Sequence, residues 1–150
     1  MLFSLGISGF IVPTDSPGFS APNIHKKVSL RASITSELVM DNVRLPDSAR
    51  LPEVSTMRGP LSCLNEARYG ILWGSVGAGR ACYEAALDYA KERVQFDVPI
   101  ASFQLTQRKL VEMMVRVNKG TLLALHLGRM KDNGALSSAQ VSFGKMDNVR

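Results

Sequence analysis

KERVQFDVPIASFQ, residues 91–104, separates two long helical patterns and so decides how the chain folds. Lys91, Glu92 and Arg93 close the first helix. Pro99 stops any helix, because it lacks a backbone N–H and its ring clashes with the preceding turn. Gln104 arrives as the next apolar period begins. Between them Phe96 is an aromatic stranded in a connection. An arginine, an aromatic ring and an amide around one interhelical turn suit a flat, negatively charged ligand, held by paired hydrogen bonds and stacking.

Upstream, residues 61–95 contain no proline, and Pro60 suits a helix start. Leu61, Leu64, Ile71, Leu72, Val76, Ala78, Cys82, Ala85, Ala86 and Tyr89 recur at helical spacing. The helix they predict is roughly 50 Å long. Gly70, Gly74, Gly77 and Gly79 each weaken it by about 1 kcal/mol relative to Ala. Four such residues predict close packing against another backbone; the alternative is a helix broken in its middle. Downstream, Leu110, Met113, Met114, Val117, Leu122, Leu125 and Leu127 give residues 105–131 an apolar stripe. DNG at 132–134 is a stop signal, and SSAQ opens a third helix at Ser137 or Ser138 that runs to Arg150. Two long helices bury one another on one side only, so further helices are expected.

Residues 1–55 read as strand and turn. GFIVP at 9–13 is a short apolar run closed by proline, and TDSPGFSAP is a turn cluster. VSLRAS at 28–33 and ITSELVMDNVRLP at 34–46 bring β-branched residues in partial alternation. So few strands do not close a stable sheet by themselves. MLFSLGISGF is too short to span a membrane and lacks a basic n-region, so it reads as a strand beginning in mid-domain. The expectation is an α+β fragment of a longer protein, with a partial β domain over 1–55 and a partial helical domain over 56–150.

A hydrophobic content of 45% fits a soluble globular chain, and a net charge of +5 suits acidic small molecules as well as it suits nucleic acid, so it selects neither. No Lys/Arg block of five or more occurs, and the aromatics are not interleaved with basic residues, which argues against nucleic-acid binding. Cys63 and Cys82 fall in one predicted helix, about 28 Å apart, too far to pair. A reducing compartment follows. His25 and His126 have no partners at metal-ligand spacing, so no metal site is expected.

Within LSCLNEAR, residues 61–68, Ser62, Asn65 and Arg68 share a helix face. Backbone donors, an amide and a guanidinium at a helix N-terminal end suit a phosphate or carboxylate. Capping plus a surface arginine explains the same pattern. Arg93 returns to nearly the same face as Arg68 but roughly 38 Å further along, so one small ligand does not touch both.

GFSAPNIHKKVSLRAS, ELVMDNVRLP, LNEARYGILWGSVGA, RVQFDVPIASFQL and LGRMKD together resemble the acyl-CoA dehydrogenase family, over residues 9–145 and with its internal spacing. The resemblance implies the second half of a middle β-barrel or sandwich domain, followed by the first helices of an antiparallel four-helix bundle. It implies that Arg93 and Gln104 bind the pyrophosphate and AMP side of FAD in a neighbouring subunit, with Phe96 near the same flavin. It implies that Leu61, Ser62, Cys63, Leu64, Asn65 and Arg68 contact acyl-CoA, with Arg68 in the strongest role. The family commonly reads Gln-Phe-Gly in the turn, where this chain has Asp97.

By the same resemblance, the nearest branch oxidises and decarboxylates glutaryl-CoA to crotonyl-CoA. A glutamate removes the α-proton, hydride passes to FAD, and electrons leave to an electron-transfer flavoprotein. The glutamate lies beyond Arg150; relatives that carry it on the first bundle helix have it where this chain has Ala67. A homotetramer is implied, in the mitochondrial matrix of a eukaryote or the cytoplasm of a bacterium, with no membrane span. The alternatives are another acyl-CoA dehydrogenase, an acyl-CoA oxidase, or a non-catalytic helical interaction module.

Overall fold

The structure, a computed structural model, describes residues 8–150. The strand reading of the opening segment therefore lies largely outside the described residues. Two compact units are present, one ending at Pro60 and the other spanning Leu61–Arg150.

In the first unit β1 (Phe19–Ser20) pairs antiparallel with β2 (Val39–Met40), Phe19 opposite Met40 and Ser20 opposite Val39. The turn cluster before β1 folds as expected: Ser16 N donates to Pro13 O at 3.1 Å and Phe19 N to Ser16 O at 3.0 Å. Gly18 is required there, because its φ is +85° and a Cβ would run into the carbonyl of Asp41. VSLRAS is not a strand. Leu30 takes φ +50°, Ser33 N donates to Leu30 O at 3.0 Å, and Lys27 Nζ donates to Ser33 O and, at 2.8 Å, to Thr35 Oγ1. GFIVP contributes only a bridge between Phe10 and Arg50, and the 34–46 segment only β2 and a bridge between Ser36 and Asn23. β-branched composition suits a strand, but a ladder needs a partner, and among the described residues none flanks 28–33.

In the second unit three helices follow one another. α1 (Arg58–Glu92) begins just before the unit and runs unbroken for 35 residues, which removes the broken-helix alternative. α2 (Gln104–Asp132) and α3 (Ser138–Asn148) complete it. Leu72 of α1 is fully buried against Ala124 and Leu127 of α2, with Tyr69, Trp73, Leu123, Met130 and Leu136 around them. Val141 of α3 is buried too. Gly144 permits this approach, since a Cβ there would strike Leu72 and Leu127. Asn148 then ties all three helices: its amide donates to Leu72 O and to Gly120 O, both at 3.2 Å.

The stop and start signals work locally. Asn133 caps α2 and Gly134 takes φ +67°. Ser137 caps α3 in a reciprocal capping box with Gln140. α3 ends at Asn148, not at Arg150.

The glycines of α1 find no backbone partner among the described residues. Gly70, Gly74 and Gly77 have open space beside them, and Gly79 meets only the Val117 side chain at 3.6 Å. Those first three lie on a side of α1 that neither α2 nor α3 covers, so their small size serves no backbone contact among the described residues. No helix among the described residues is long and apolar enough to cross a membrane.

Candidate functional site

The connection between α1 and α2 is a β-hairpin, not an open turn. Arg93 N closes the last helical turn on Tyr89 O at 2.9 Å. β3 (Val94–Gln95) then pairs with β4 (Val98–Pro99), and Ile100 N donates back to Arg93 O at 2.8 Å. The two turn residues, Phe96 and Asp97, have φ of +53° and +66°. Two positive φ values make the turn whose twist matches that of the flanking strands. Asp adopts this region readily, whereas for Phe it costs on the order of 1–2 kcal/mol.

That strained backbone holds Phe96 outward, 87% exposed, with its ring edge-to-face against Phe103 at 6.2 Å. A 3-10 turn, Ile100–Ser102, leads into α2, steadied by Gln107 Nε2 donating to Ala101 O at 2.9 Å. Gln104 is the first residue of α2 and is exposed. The hairpin thus folds Arg93 back beside Ile100, four residues ahead of Gln104. Arg93 is exposed and joins none of the ion pairs among the described residues.

Leu61, Ser62, Cys63, Leu64, Asn65 and Arg68 occupy the first three turns of α1. Leu61 to Leu64 are exposed; Asn65 and Arg68 are half-buried. Arg68 Nη1 donates to Asn65 Oδ1 at 3.1 Å, so the shared face is real for this pair. α1 begins three residues before Leu61, which changes the anion argument. The N–H groups without intrahelical partners belong to the first four helical residues, and Pro60 has none. Thr56 offers its hydroxyl to the helix start, accepting from Arg58 N at 3.3 Å. Asn65 and Arg68 lie beyond the helix-end donors, so the two groups do not form one N-terminal anion cradle.

One constellation had no signal in helical spacing, because its members are 65 residues apart. Lys131 of α2 reaches both carboxylate oxygens of Glu66, at 2.5 and 2.6 Å. Its ammonium also lies 5.2 Å from the centroid of the Tyr69 ring. Glu66 is therefore engaged, while Arg68 two residues on pairs, among the described residues, only with a neutral amide. LGRMKD, which contains Lys131, was the only pointer in the sequence.

A cleft of about 480 Å³ runs between α1, α2 and the end of α3, walled by Val76, Cys82, Met113 and Val117 with Arg116 and Lys119 at its margin. None of the candidate residues lines it. It is a seam between the packed helices.

The family model for the acyl-CoA dehydrogenase C-terminal domain matches residues 57–150. A glutaryl-CoA dehydrogenase of Desulfococcus multivorans is 36% identical over 137 residues, covering 90% of this chain and 35% of that protein. The crystal structure of glutaryl-CoA dehydrogenase from Mycobacterium smegmatis superimposes with a TM-score of 0.96 at 62% identity, over 98% of this chain and 38% of that one. A glutaryl-CoA dehydrogenase from the same organism, in complex with FADH2, gives 0.95 at 56% identity, again over 98% and 38%. This chain belongs to the acyl-CoA dehydrogenase family. It spans just over a third of the length of the relatives it matches.

Proposed function

We propose that this chain is part of an FAD-dependent acyl-CoA dehydrogenase acting on glutaryl-CoA, and that its two functional ends serve different ligands. The hairpin end takes the flavin of a neighbouring subunit. The observation that carries this reading is the strained hairpin, which spends backbone energy to hold an exposed Phe96 between Arg93 and Gln104.

The residues fit the cofactor. Arg93 is a guanidinium without a carboxylate partner among the described residues, able to donate two parallel hydrogen bonds to pyrophosphate. Gln104 supplies an amide, and Phe96 an apolar ring against the flavin side. FAD, when bound, supplies the two-electron acceptor for hydride leaving the β-carbon of the thioester. Asp97 brings a carboxylate to the same tip, which weakens the site unless it points away.

The other end, Leu61 to Asn65 with Arg68, takes acyl-CoA. Its work is to orient the thioester and to neutralise an anionic group of the substrate. No residue of this chain is assigned as the general base: Ala67 holds the position used by some relatives, and Glu66 is tied to Lys131. A correctly placed carboxylate is required to remove the α-proton, so the base comes from elsewhere in the whole protein. Decarboxylation then gives crotonyl-CoA, and electrons pass to an electron-transfer flavoprotein. The neighbouring-subunit flavin implies a homo-oligomer, a tetramer by family resemblance. The fold and the identity to two glutaryl-CoA dehydrogenases support the substrate reading.

The test uses the whole protein with Arg93→Ala and Arg68→Ala. The flavin-to-protein absorbance ratio after gel filtration and the acyl-CoA affinity by titration are measured for each. Arg93→Ala is expected to lose flavin and Arg68→Ala to lose acyl-CoA affinity. If Arg93→Ala keeps full flavin and loses acyl-CoA affinity instead, the assignment of the two ends is wrong. Turnover of glutaryl-CoA against straight-chain acyl-CoA thioesters decides the substrate.

A further inference from the structure

Three charged groups crowd the acyl-CoA end of α1, and the structure sorts them. Glu66 sits between Asn65 and Arg68 in sequence, so a free carboxylate would stand within a turn of the guanidinium proposed to meet an anionic substrate. Glu66 is not free. Lys131 crosses from the last turn of α2, meets both of its oxygens at 2.5 and 2.6 Å, and lies 5.2 Å from the Tyr69 ring centroid. Tyr69 in turn packs against the buried Leu72, Ala124 and Leu127. The ammonium is thus held from two sides, its side chain 37% exposed against 66% for Glu66. The other two ion pairs of the described residues are single contacts between i and i+4 on solvent faces; this one alone spans two helices. Among the described residues Arg68 bonds only the neutral amide of Asn65 and keeps its charge unmatched.

We propose that Lys131 is a positioning residue for acyl-CoA binding. It sequesters the Glu66 carboxylate against α2, so that Arg68 presents a net positive field to an anionic substrate. This rests on the reading of the α1 end as the acyl-CoA site and deepens it. The role is electrostatic and not merely a tie between helices: a surface pair contributes little to stability by itself, whereas a carboxylate released near a bound anion repels it.

The experiment is acyl-CoA titration of the whole protein with four variants at low and high ionic strength. Lys131→Met leaves Glu66 uncompensated. For a carboxylate on the order of 10 Å from the bound anion, affinity is expected to fall by about two- to tenfold. Lys131→Arg restores it. Glu66→Gln with Lys131→Met together also restores it, because no unmatched charge remains. The loss in Lys131→Met shrinks at high salt. A helix tie predicts the opposite pattern: the double variant is as weak as Lys131→Met, and salt leaves the loss unchanged. Either result overturns the proposal. Arg68→Ala is the control for the underlying reading. If it leaves acyl-CoA affinity intact, the site assignment fails. If it weakens binding while Lys131→Met does not, only the role of Lys131 fails.

Discussion

Glycine-to-alanine substitution should have opposite signs at two positions of the helical unit. In α3, Gly144→Ala places a methyl group where Leu72 and Leu127 already pack, so both side chains must shift, and Leu72 is fully buried. Overpacking of this kind costs about 1–3 kcal/mol, while the better helix propensity of Ala returns about 1 kcal/mol. The net is a loss of up to about 2 kcal/mol. In α1, Gly74→Ala meets open space on every side. Only the propensity change acts there, a gain of about 1 kcal/mol. For a chain of this length, each kcal/mol moves Tm by roughly 2–4 °C. Thermal and urea melts of the chain followed by circular dichroism should therefore place the two variants on opposite sides of the parent. If Gly144→Ala is as stable as the parent and Gly74→Ala is less stable, the reasoning is refuted, because α1 would then be covered where the structure leaves it open.

Arg93→Ala in the whole protein should weaken FAD retention by roughly one to two decades, since charged hydrogen bonds contribute on the order of 1.5–3 kcal/mol. Flavin absorbance after gel filtration reads this, and analytical ultracentrifugation should show easier subunit dissociation if the flavin is shared. Asp97→Gly should raise both hairpin stability and flavin retention, by up to about 1 kcal/mol, because Gly takes the positive φ without strain and carries no charge; tighter flavin binding by Asp97 than by Gly would count against the pyrophosphate assignment. Ser137→Ala should destabilise the chain by about 1 kcal/mol through loss of the α3 cap, read from the urea midpoint. The chain of 150 residues by itself should self-associate, since Val28, Leu30 and Ile34 are at least 77% exposed and Leu105 and Leu122 at least 67%; a monodisperse monomer in light scattering would contradict this.

The helices were legible because their signals are local. Proline-free runs with a 3.6-residue period, the Gly at 134 and the Ser at 137 act through backbone geometry within a few residues, so α2 and α3 begin and end close to where the pattern places them. The break between α1 and α2, where Arg93, Phe96 and Gln104 lie, was also readable, since Pro99 cannot continue a helix. The short strands were not. VSLRAS has strand composition, yet a ladder is a property of two segments, and residue type at 28–33 says nothing about whether a partner lies alongside. The hairpin conformation of Phe96 was likewise decided by tertiary structure: the register of β3 with β4 sets two positive φ values whatever residues occupy the turn. The glycines of α1 name no packing partner by themselves, because small size says nothing about which segment stands opposite, and among the described residues none does at Gly70, Gly74 and Gly77. The pairing of Lys131 with Glu66 depends on how α1 and α2 cross, which fixes which side chains meet across 65 residues; helical periodicity orders neighbours along one helix and carries no information about the other.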